Sequence, residues 1–184
     1  MKKKLSYILL VGILAILAAC GNKDVKPVAI DEATDTCATC NMAVVDNQFA
    51  TQIILKNGKS MVFDDIGCMY EWLGENEDKD IDAEFVRDFD DEEWVLVNEA
   101  TYVYDTSVKT PMAYNVISFK DSKDAEQYVT DHKDSSIMTA KELDKHSWKR
   151  SSEMMKDMKK HGEETDHSHS EDGEMEKEHS DHDM

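Results

Sequence analysis

The chain has only about half as many basic residues as acidic ones, and this imbalance argues against several classes of partner. Among 184 residues, 21 are Lys or Arg and 40 are Asp or Glu, which gives a formal net charge of −19. Nucleic acids and anionic lipid surfaces repel so acidic a protein. The composition instead fits a protein that attracts cations, and we predict no nucleic-acid partner.

The sequence also lacks the motifs of common hydrolases and nucleotide-binding enzymes. It contains neither a Gly-x-Ser-x-Gly nucleophile motif nor a phosphate-binding glycine-rich loop. The acidic pairs Asp64-Asp65 and Asp90-Asp91 are interpreted as helix caps and turns. The histidines lie late in the chain, mostly within the last 24 residues. We therefore predict that the protein is not an enzyme.

The N-terminus has the pattern of an export signal. A basic start (residues 2–4) precedes an apolar run (residues 5–17), which leads into Leu-Ala-Ala-Cys ending at Cys20. Small residues before a cysteine resemble a bacterial lipobox, which predicts removal of residues 1–19 and lipidation of Cys20. An uncleaved membrane anchor is the alternative, although the run is short for a full span. Both interpretations predict a location outside the cytoplasmic membrane and attached to it.

Cysteine is scarce, and its count does not suit a framework of disulfide bonds. If Cys20 is lipidated, three cysteines remain: Cys37, Cys40 and Cys68. An odd number of thiols in an exported chain leaves at least one unpaired. A metal ion explains that thiol better than chance does.

Soft donor atoms are concentrated in residues 37–42, which read Cys-Ala-Thr-Cys-Asn-Met. Thiolates and thioethers suit Cu(I), whereas Mg²⁺ and Ca²⁺ prefer oxygen ligands. In an extended segment, Cys40 and Met42 would project to the same side and could bind one ion. The further candidate ligands are Cys37, Cys68 and Met112.

Three other interpretations of the cysteines remain open. A Cys-x-x-Cys pair can be redox-active, although such pairs usually open a helix and this one precedes a predicted hairpin. Structural zinc would want a second close pair of ligands, and Cys68 stands alone in the sequence. A disulfide between Cys37 and Cys40 would be a storage or inactive state.

Residues 36–146 have the patterning of a folded core. A β-hairpin is predicted from residues 48–55 and 60–63, because Asn-Gly lies between two β-rich runs. A helix capped by Asp64 or Asp65 should follow and stop at Gly74. Further strands are predicted at residues 83–89, 94–104 and 113–119, and a second helix should begin at Asp121 or Ser122. A strand-rich stretch followed by a helix therefore occurs twice, which suggests an internal duplication.

The C-terminal part differs in composition from the core. Residues 147–160 suggest a polar helix, and residues 161–184 contain five His, two Met and ten acidic residues. Such a tract cannot bury enough apolar surface to order itself, so we predict disorder. It could bind copper or zinc loosely, or it could only keep the protein soluble.

These motifs together resemble the NosL lipoproteins, which are accessory proteins of nitrous-oxide reductase. The resemblance covers about residues 36–143. It is carried by the lipobox, the Cys-x-x-Cys-x-Met cluster, the Phe-Asp-Asp-Ile-Gly-Cys sequence at residues 63–68 and Thr110-Pro111-Met112. One departure is Ala113, where members of the family commonly have glycine.

The resemblance implies a fold, a function and a set of ligands. The fold would be α+β, with two related ββαβ halves in a compact core. The protein would be a membrane-tethered Cu(I) metallochaperone that supplies copper for the reductase's copper centre, working with an ABC-type complex and the apo-reductase. Cys40 and Met42 would carry the ligand role, followed by Met112.

The expected organisation is therefore a signal peptide (1–19), a linker bearing lipidated Cys20 (20–35), a NosL-like core (36–146) and a polar C-terminal part (147–184). Two other functions stay open. A copper-sequestering or resistance lipoprotein would bind most of its copper in the tail, and a thiol oxidoreductase would use the Cys-x-x-Cys pair.

Overall fold

The computed structural model describes residues 25–152 and 155–156. The predicted signal peptide, Cys20 and the His-rich tail lie outside these ranges. The strands are β1 (Thr51–Leu55), β2 (Ser60–Phe63), β3 (Ile81–Arg87), β4 (Trp94–Leu96), β5 (Thr101–Tyr104), β6 (Val116–Phe119) and β7 (Ser136–Thr139). The helices are α1 (Ile66–Glu75), α2 (Ser122–Asp131) and α3 (Ala140–Leu143). None of the helices within the described ranges is long and apolar enough to cross a membrane.

The first half of the fold is a four-stranded antiparallel sheet with α1 packed on it. Its strand order is β2-β1-β3-β4. The predicted hairpin of β1 and β2 is present, and Gly58 in its turn has a φ of 85°, which glycine adopts without strain. The helix α1 follows β2 directly and contacts both strands of the hairpin.

The second half repeats this plan with one strand fewer. Its sheet has the order β6-β5-β7, again antiparallel, and α2 connects β6 to β7. In each half, the first strand along the chain therefore lies between the second strand and the strand that follows the helix. The predicted α+β class with two ββαβ halves is confirmed.

Two strand predictions differ from the structure because the backbone turns inside them. The predicted strand over residues 94–104 is two strands, β4 and β5, which belong to different sheets. Backbone N–H groups of Glu99 and Ala100 donate to the carbonyl of Leu96 and reverse the chain between them. The strand predicted from residue 113 begins only at Val116, because Ala113 and Asn115 both have a φ of 62°.

Two further details of the elements were not predicted. Helix α1 continues through Gly74 to Glu75, so that glycine does not end it. Strand β7 was not predicted; most of its residues are exposed, which gives the sequence little apolar alternation to detect.

The larger apolar cluster among the described residues joins the two halves, and it includes two of the cysteines. Helix α1 buries the side chains of Ile66, Cys68, Met69 and Trp72. Cys37 is also completely buried in this core. A smaller cluster lies beneath α2 and consists of Val103, Ile117, Phe119 and Ala125. The cysteines therefore lie in the main core, which also receives residues of the second half.

Candidate metal centre

Residues 37–42 form a tight loop whose ends are tied together. Thr36 and Ala43 form an antiparallel bridge, and the N–H of Cys37 donates to the carbonyl of Met42 at 2.8 Å. Asn41 has a φ of 59°, a left-handed conformation that asparagine tolerates better than most residues. The sequence argument that placed Cys40 and Met42 together in an extended segment is therefore wrong.

The loop is held against the start of α1 by hydrogen bonds that do not involve the cysteine side chains. Ala38 N–H donates to the carbonyl of Val62 in β2 at 3.0 Å. The hydroxyl of Thr39 donates to the carbonyl of Cys68 at 2.7 Å. These contacts place the loop cysteines next to the first turn of the helix.

Helix α1 begins where it does because Asp65 caps it. The carboxylate of Asp65 accepts from Gly67 N–H at 3.0 Å, which satisfies one of the free donors of the first turn. The preceding residue, Asp64, is thereby left free for another role. Since Cys68 lies in the first turn, Asp64 and Cys68 both approach the loop.

Four donor atoms converge at this junction. The sulfur atoms of Cys37, Cys40 and Cys68 and a carboxylate oxygen of Asp64 all lie within 4.8 Å of one another. Two sulfur ligands about 2.3 Å from one ion can be at most about 4.6 Å apart. The four donors can therefore bind one metal ion after a small contraction.

The carboxylate of Asp64 is incompletely satisfied. Cys40 Sγ donates to Asp64 Oδ2 at 3.3 Å, but Asp64 Oδ1 is buried without a hydrogen-bond partner. A buried polar atom without a partner destabilises a fold unless a ligand or ion satisfies it. A cation among the three thiols would provide that interaction.

Protonation differs sharply among the four donors. The hydrogen bond with the Cys68 thiol lowers the pKa of Cys37 to about 4, against the opposing effect of burial. The same hydrogen bond, together with burial, raises the pKa of Cys68. Burial raises the pKa of Cys40 to about 12 and that of Asp64 to about 6. The hydrogen bonds and burial within the cluster disfavour simultaneous ionisation of all three thiols, so a metal ion that binds all three sulfur atoms must displace protons.

The two candidate methionines differ in burial. Met42 lies on the loop with 57 % of its surface exposed. Met112 is buried in the turn that precedes β6, and its N–H donates to Asp65 Oδ2 at 2.9 Å. The structure therefore brings Cys37, Cys40 and Cys68 together, with Met112 beside the helix start and Met42 toward solvent.

The histidines of the described ranges are placed elsewhere. His132 follows α2 and stacks on Tyr128, and His146 packs against Tyr104. Neither belongs to the donor cluster.

Asp64 is the donor that sequence reasoning missed. It was interpreted as one of two possible helix caps, and the structure assigns that role to Asp65 alone. The available signal was the pair of aspartates. A helix start needs only one capping carboxylate, so the second aspartate is free for another role. The argument that Cys68 stands alone also fails, since the fold brings it to Cys37 and Cys40, and zinc remains chemically possible at this site.

The backbone at Ala113 has the left-handed conformation that favours glycine. The residue has a φ of 62° and is completely buried in the turn after Met112. Its N–H donates to the carbonyl of Thr110 at 3.0 Å. The turn therefore keeps its left-handed conformation with an alanine, at some energetic cost.

Comparisons with known proteins agree with this architecture. A family model described as NosL matches residues 27–148, which is more than half of the chain. Among solved structures, that of the copper chaperone NosL from Shewanella denitrificans matches with a TM-score of 0.50 and 20 % sequence identity. The match covers 58 % of this chain and 87 % of that chain, and it shows a shared fold. No curated protein matches the chain.

Proposed function

The chain belongs to the NosL family, and on that premise we propose that it is a metallochaperone that binds Cu(I) at Cys37, Cys40 and Cys68. The observation that carries the proposal is the convergence of three thiols and Asp64 within 4.8 Å. Thiolate donors favour Cu(I), and the matched solved structure is that of a copper chaperone. The family match and the donor chemistry thus support the same cargo.

The burial of the donors suits an ion that is held and then passed on. Cys37 and Cys68 are completely buried, whereas Cys40 is partly exposed. The neighbouring Met42 is exposed and supplies a neutral thioether at the solvent side. An incoming acceptor can therefore reach Cu(I) at the Cys40 side while the buried thiols still hold it.

The proposal includes attachment to the membrane and delivery to a reductase. The lipobox ending at Cys20 supports a lipid anchor on the extracytoplasmic side. The family resemblance supports transfer of copper to nitrous-oxide reductase through an ABC-type complex. We propose both as the setting in which the donor cluster acts.

The binding site is tested by anaerobic titration of the reduced protein with Cu(I) against a competing chelator. Single substitutions Cys37→Ser, Cys40→Ser and Cys68→Ser should each weaken binding at least tenfold, since each removes a ligand; outer-shell changes alone cost about 10–100-fold. Asp64→Asn, Met42→Leu and Met112→Leu test the remaining donors. Met138→Leu in β7 is the matched control and should leave affinity unchanged.

The result that would overturn the proposal is an affinity and stoichiometry unaffected by any of the three cysteine changes. A site that retains Zn²⁺ when Cu(I) is offered in excess would instead indicate a structural zinc site. Because Cys40 and Cys68 must lose protons, Cu(I) affinity should increase as pH rises.

The two other functions give different results in simple assays. If the tail does most of the binding, replacing its His and Met residues abolishes high-affinity binding and Cys40→Ser preserves it. If the protein is a thiol oxidoreductase, it turns over a disulfide substrate and Cu(I) inhibits it.

Delivery is tested in cells that produce nitrous-oxide reductase. The chaperone proposal expects a copper-deficient reductase when this chain carries Cys40→Ser and a fully loaded enzyme with the Met138→Leu control. Equal copper content in both strains would argue against delivery.

A further inference from the structure

Tyr114 of the second half lies directly against the helix that carries Cys68. Tyr114 is 1 % exposed, and its ring covers Gly67, where an added Cβ atom would lie 2.1 Å from the nearest ring atoms. Its hydroxyl donates to Glu71 Oε2 at 3.0 Å, about one helical turn further along α1. A single side chain therefore contacts α1 both before and after Cys68.

Arg150 holds Tyr114 in this position. Its Nε donates to the Tyr114 hydroxyl at 3.1 Å, and its guanidinium carbon lies 5.2 Å from the centre of the ring. The guanidinium also forms an ion pair with Glu71, with an N···O distance of 3.6 Å. Glu71, Tyr114 and Arg150 therefore contact one another pairwise, and we call these three side chains the clamp.

The residues on either side of Arg150 keep it next to the clamp. The ring of Trp148 stacks on Tyr70 of α1, with ring centroids 4.6 Å apart. The N–H of Ser151 donates to the carbonyl of Ala113 at 2.8 Å. Because the backbone is attached on both sides, the guanidinium needs little further ordering to bind its two partners.

The position of α1 decides the geometry of the donor cluster. Asp64 directly precedes the capping residue of α1, and Cys68 lies in the first turn of the helix. The other two donors, Cys37 and Cys40, belong to the loop that packs against this turn. A metal–sulfur bond of about 2.3 Å tolerates deviations of only about 0.2 Å, so a shift of α1 by about 1 Å would remove a bond.

We propose that Tyr114 is a positioning residue of the metal centre and that Glu71 and Arg150 hold it in place. Tyr114 fixes the start of α1, so that Cys68 and Asp64 keep the distance from the loop cysteines at which all of them bind one ion. The inference rests on the proposed Cu(I) function of the cluster. It adds residues outside the cluster that set the affinity.

The first test measures the Cu(I) affinity of the full chain by anaerobic competition with a chelator. Tyr114→Phe removes the hydroxyl and keeps the ring on Gly67. We expect this change to weaken Cu(I) binding about tenfold, which is the lower limit for residues that support the ligands from behind. An affinity equal to that of the unchanged protein would overturn the inference.

Tyr128→Phe is the matched control. The Tyr128 hydroxyl also donates to a carboxylate, that of Asp105, at 3.1 Å. Tyr128 lies on α2, which carries none of the cluster donors. The control should therefore leave Cu(I) affinity unchanged, and an equal loss of affinity in both variants would also overturn the inference.

The coordination of the bound ion separates positioning from a general loss of stability. X-ray absorption at the copper K edge, at saturating Cu(I), should find three sulfur neighbours in the unchanged protein and fewer in Tyr114→Phe. Circular dichroism verifies that both variants are folded under these conditions. An unchanged number of sulfur neighbours in Tyr114→Phe would show that Tyr114 stabilises the fold without positioning the ligands.

Arg150→Gln tests whether the guanidinium acts through Tyr114. Alone it should weaken Cu(I) binding several-fold, and combined with Tyr114→Phe it should add no further loss, because both changes remove the same contact. Lys149→Gln, which removes a positive charge from the exposed neighbouring position, should have no effect. Fully additive losses would show that Arg150 acts independently of Tyr114 and would overturn the clamp.

The same titrations separate this inference from the proposed function. If Cys68→Ser abolishes Cu(I) binding and Tyr114→Phe leaves it unchanged, the Cu(I) function stands and the positioning role fails. If the unchanged protein binds no Cu(I), the proposed function fails, and the positioning role fails with it.

Discussion

The two halves share the ββαβ topology, but among the described residues only the first carries a cluster of candidate metal ligands. Helices α1 and α2 each have ten residues, follow the second strand of their half and are capped by an aspartate whose carboxylate accepts at 3.0 Å from the N–H two residues on. The sequences at these starts align position by position. Residues 63–68 read Phe-Asp-Asp-Ile-Gly-Cys, and residues 119–124 read Phe-Lys-Asp-Ser-Lys-Asp.

The two helix starts differ at the residues before and after the shared capping aspartate. Lys120 occupies the position of Asp64 and forms ion pairs with Asp91 and Glu93 at the surface. Asp124 occupies the position of Cys68 and is exposed. A repeated backbone therefore does not make a metal site; the donor atoms and the burial of the helix start do.

The two halves differ in how deeply their helices are buried. Helix α1 packs into the core that both halves share, whereas α2 packs over the smaller cluster. Helix α1 buries five residues, whereas α2 buries Ala125 alone. The second half even completes the first, since Tyr114 covers Gly67 and Met112 binds Asp65.

The largest contrast should come from the aromatic residue in the second turn of each helix. Trp72 is 7 % exposed and packs edge-on against Phe63, whereas the equivalent Tyr128 is half-buried. Trp72→Ala should lower the free energy of unfolding by about 3–5 kcal/mol, and Tyr128→Ala by about 2 kcal/mol. Urea denaturation measures both, and equal losses would remove the proposed asymmetry of the core.

A side chain at Gly67 should disrupt the close contact between α1 and Tyr114 of the second half. Gly67→Ala places a methyl group into the ring of Tyr114, which should lower the free energy of unfolding by about 1–3 kcal/mol.

Gly74→Ala in the same helix is its matched control. No heavy atom lies within 4 Å of the added methyl group. This change should stabilise the fold by up to about 1 kcal/mol through helix propensity. A stabilising Gly67→Ala would show that Tyr114 does not pack on this helix in solution.

Replacing the two capping aspartates should have unequal effects, because Asp65 also accepts a hydrogen bond from the second half. Asp65→Ala removes the acceptor of Gly67 N–H and leaves the buried N–H of Met112 unpaired, which should lower the free energy of unfolding by about 2 kcal/mol. Asp121→Ala should lower it by about 1 kcal/mol. Cu(I) affinity should fall only for Asp65→Ala, and a similar fall for Asp121→Ala would contradict the assignment.

The smallest expected effect concerns a carboxylate in the groove between the two sheets. Burial, reinforced by the charge of Asp144, raises the pKa of Glu84 above its ordinary 4.5. Ionised Glu84 therefore destabilises the folded state at pH values above its folded-state pKa. This destabilisation disappears below about pH 4.5. Glu84→Gln should stabilise the protein at pH 7 by less than about 1 kcal/mol and have no effect at pH 4.

The exposed Glu77→Gln is the control and should change the stability at neither pH. Thermal unfolding at the two pH values gives the measurement. A stabilisation by Glu84→Gln that is equal at both pH values would point to packing rather than charge.

Local signals in the sequence predicted the elements that depend on neighbouring residues. The Asn-Gly turn predicted the β1–β2 hairpin, and the aspartates before residues 66 and 122 predicted both helix starts. Elements without such a signal were missed or misplaced. The break between β4 and β5 and the mostly exposed β7 give no periodic signal, and the loop of residues 37–42 was taken as extended.

The amino-acid sequence by itself determined which soft donors are available and indicated the repeated strand–helix pattern of the fold. Tertiary structure alone decided which donors meet. Cys68 reaches Cys37 and Cys40 because α1 packs against the loop, and Asp64 becomes a donor because Asp65 already caps the helix. Distances between residues 24 to 31 positions apart depend on core packing, which a local sequence pattern does not encode.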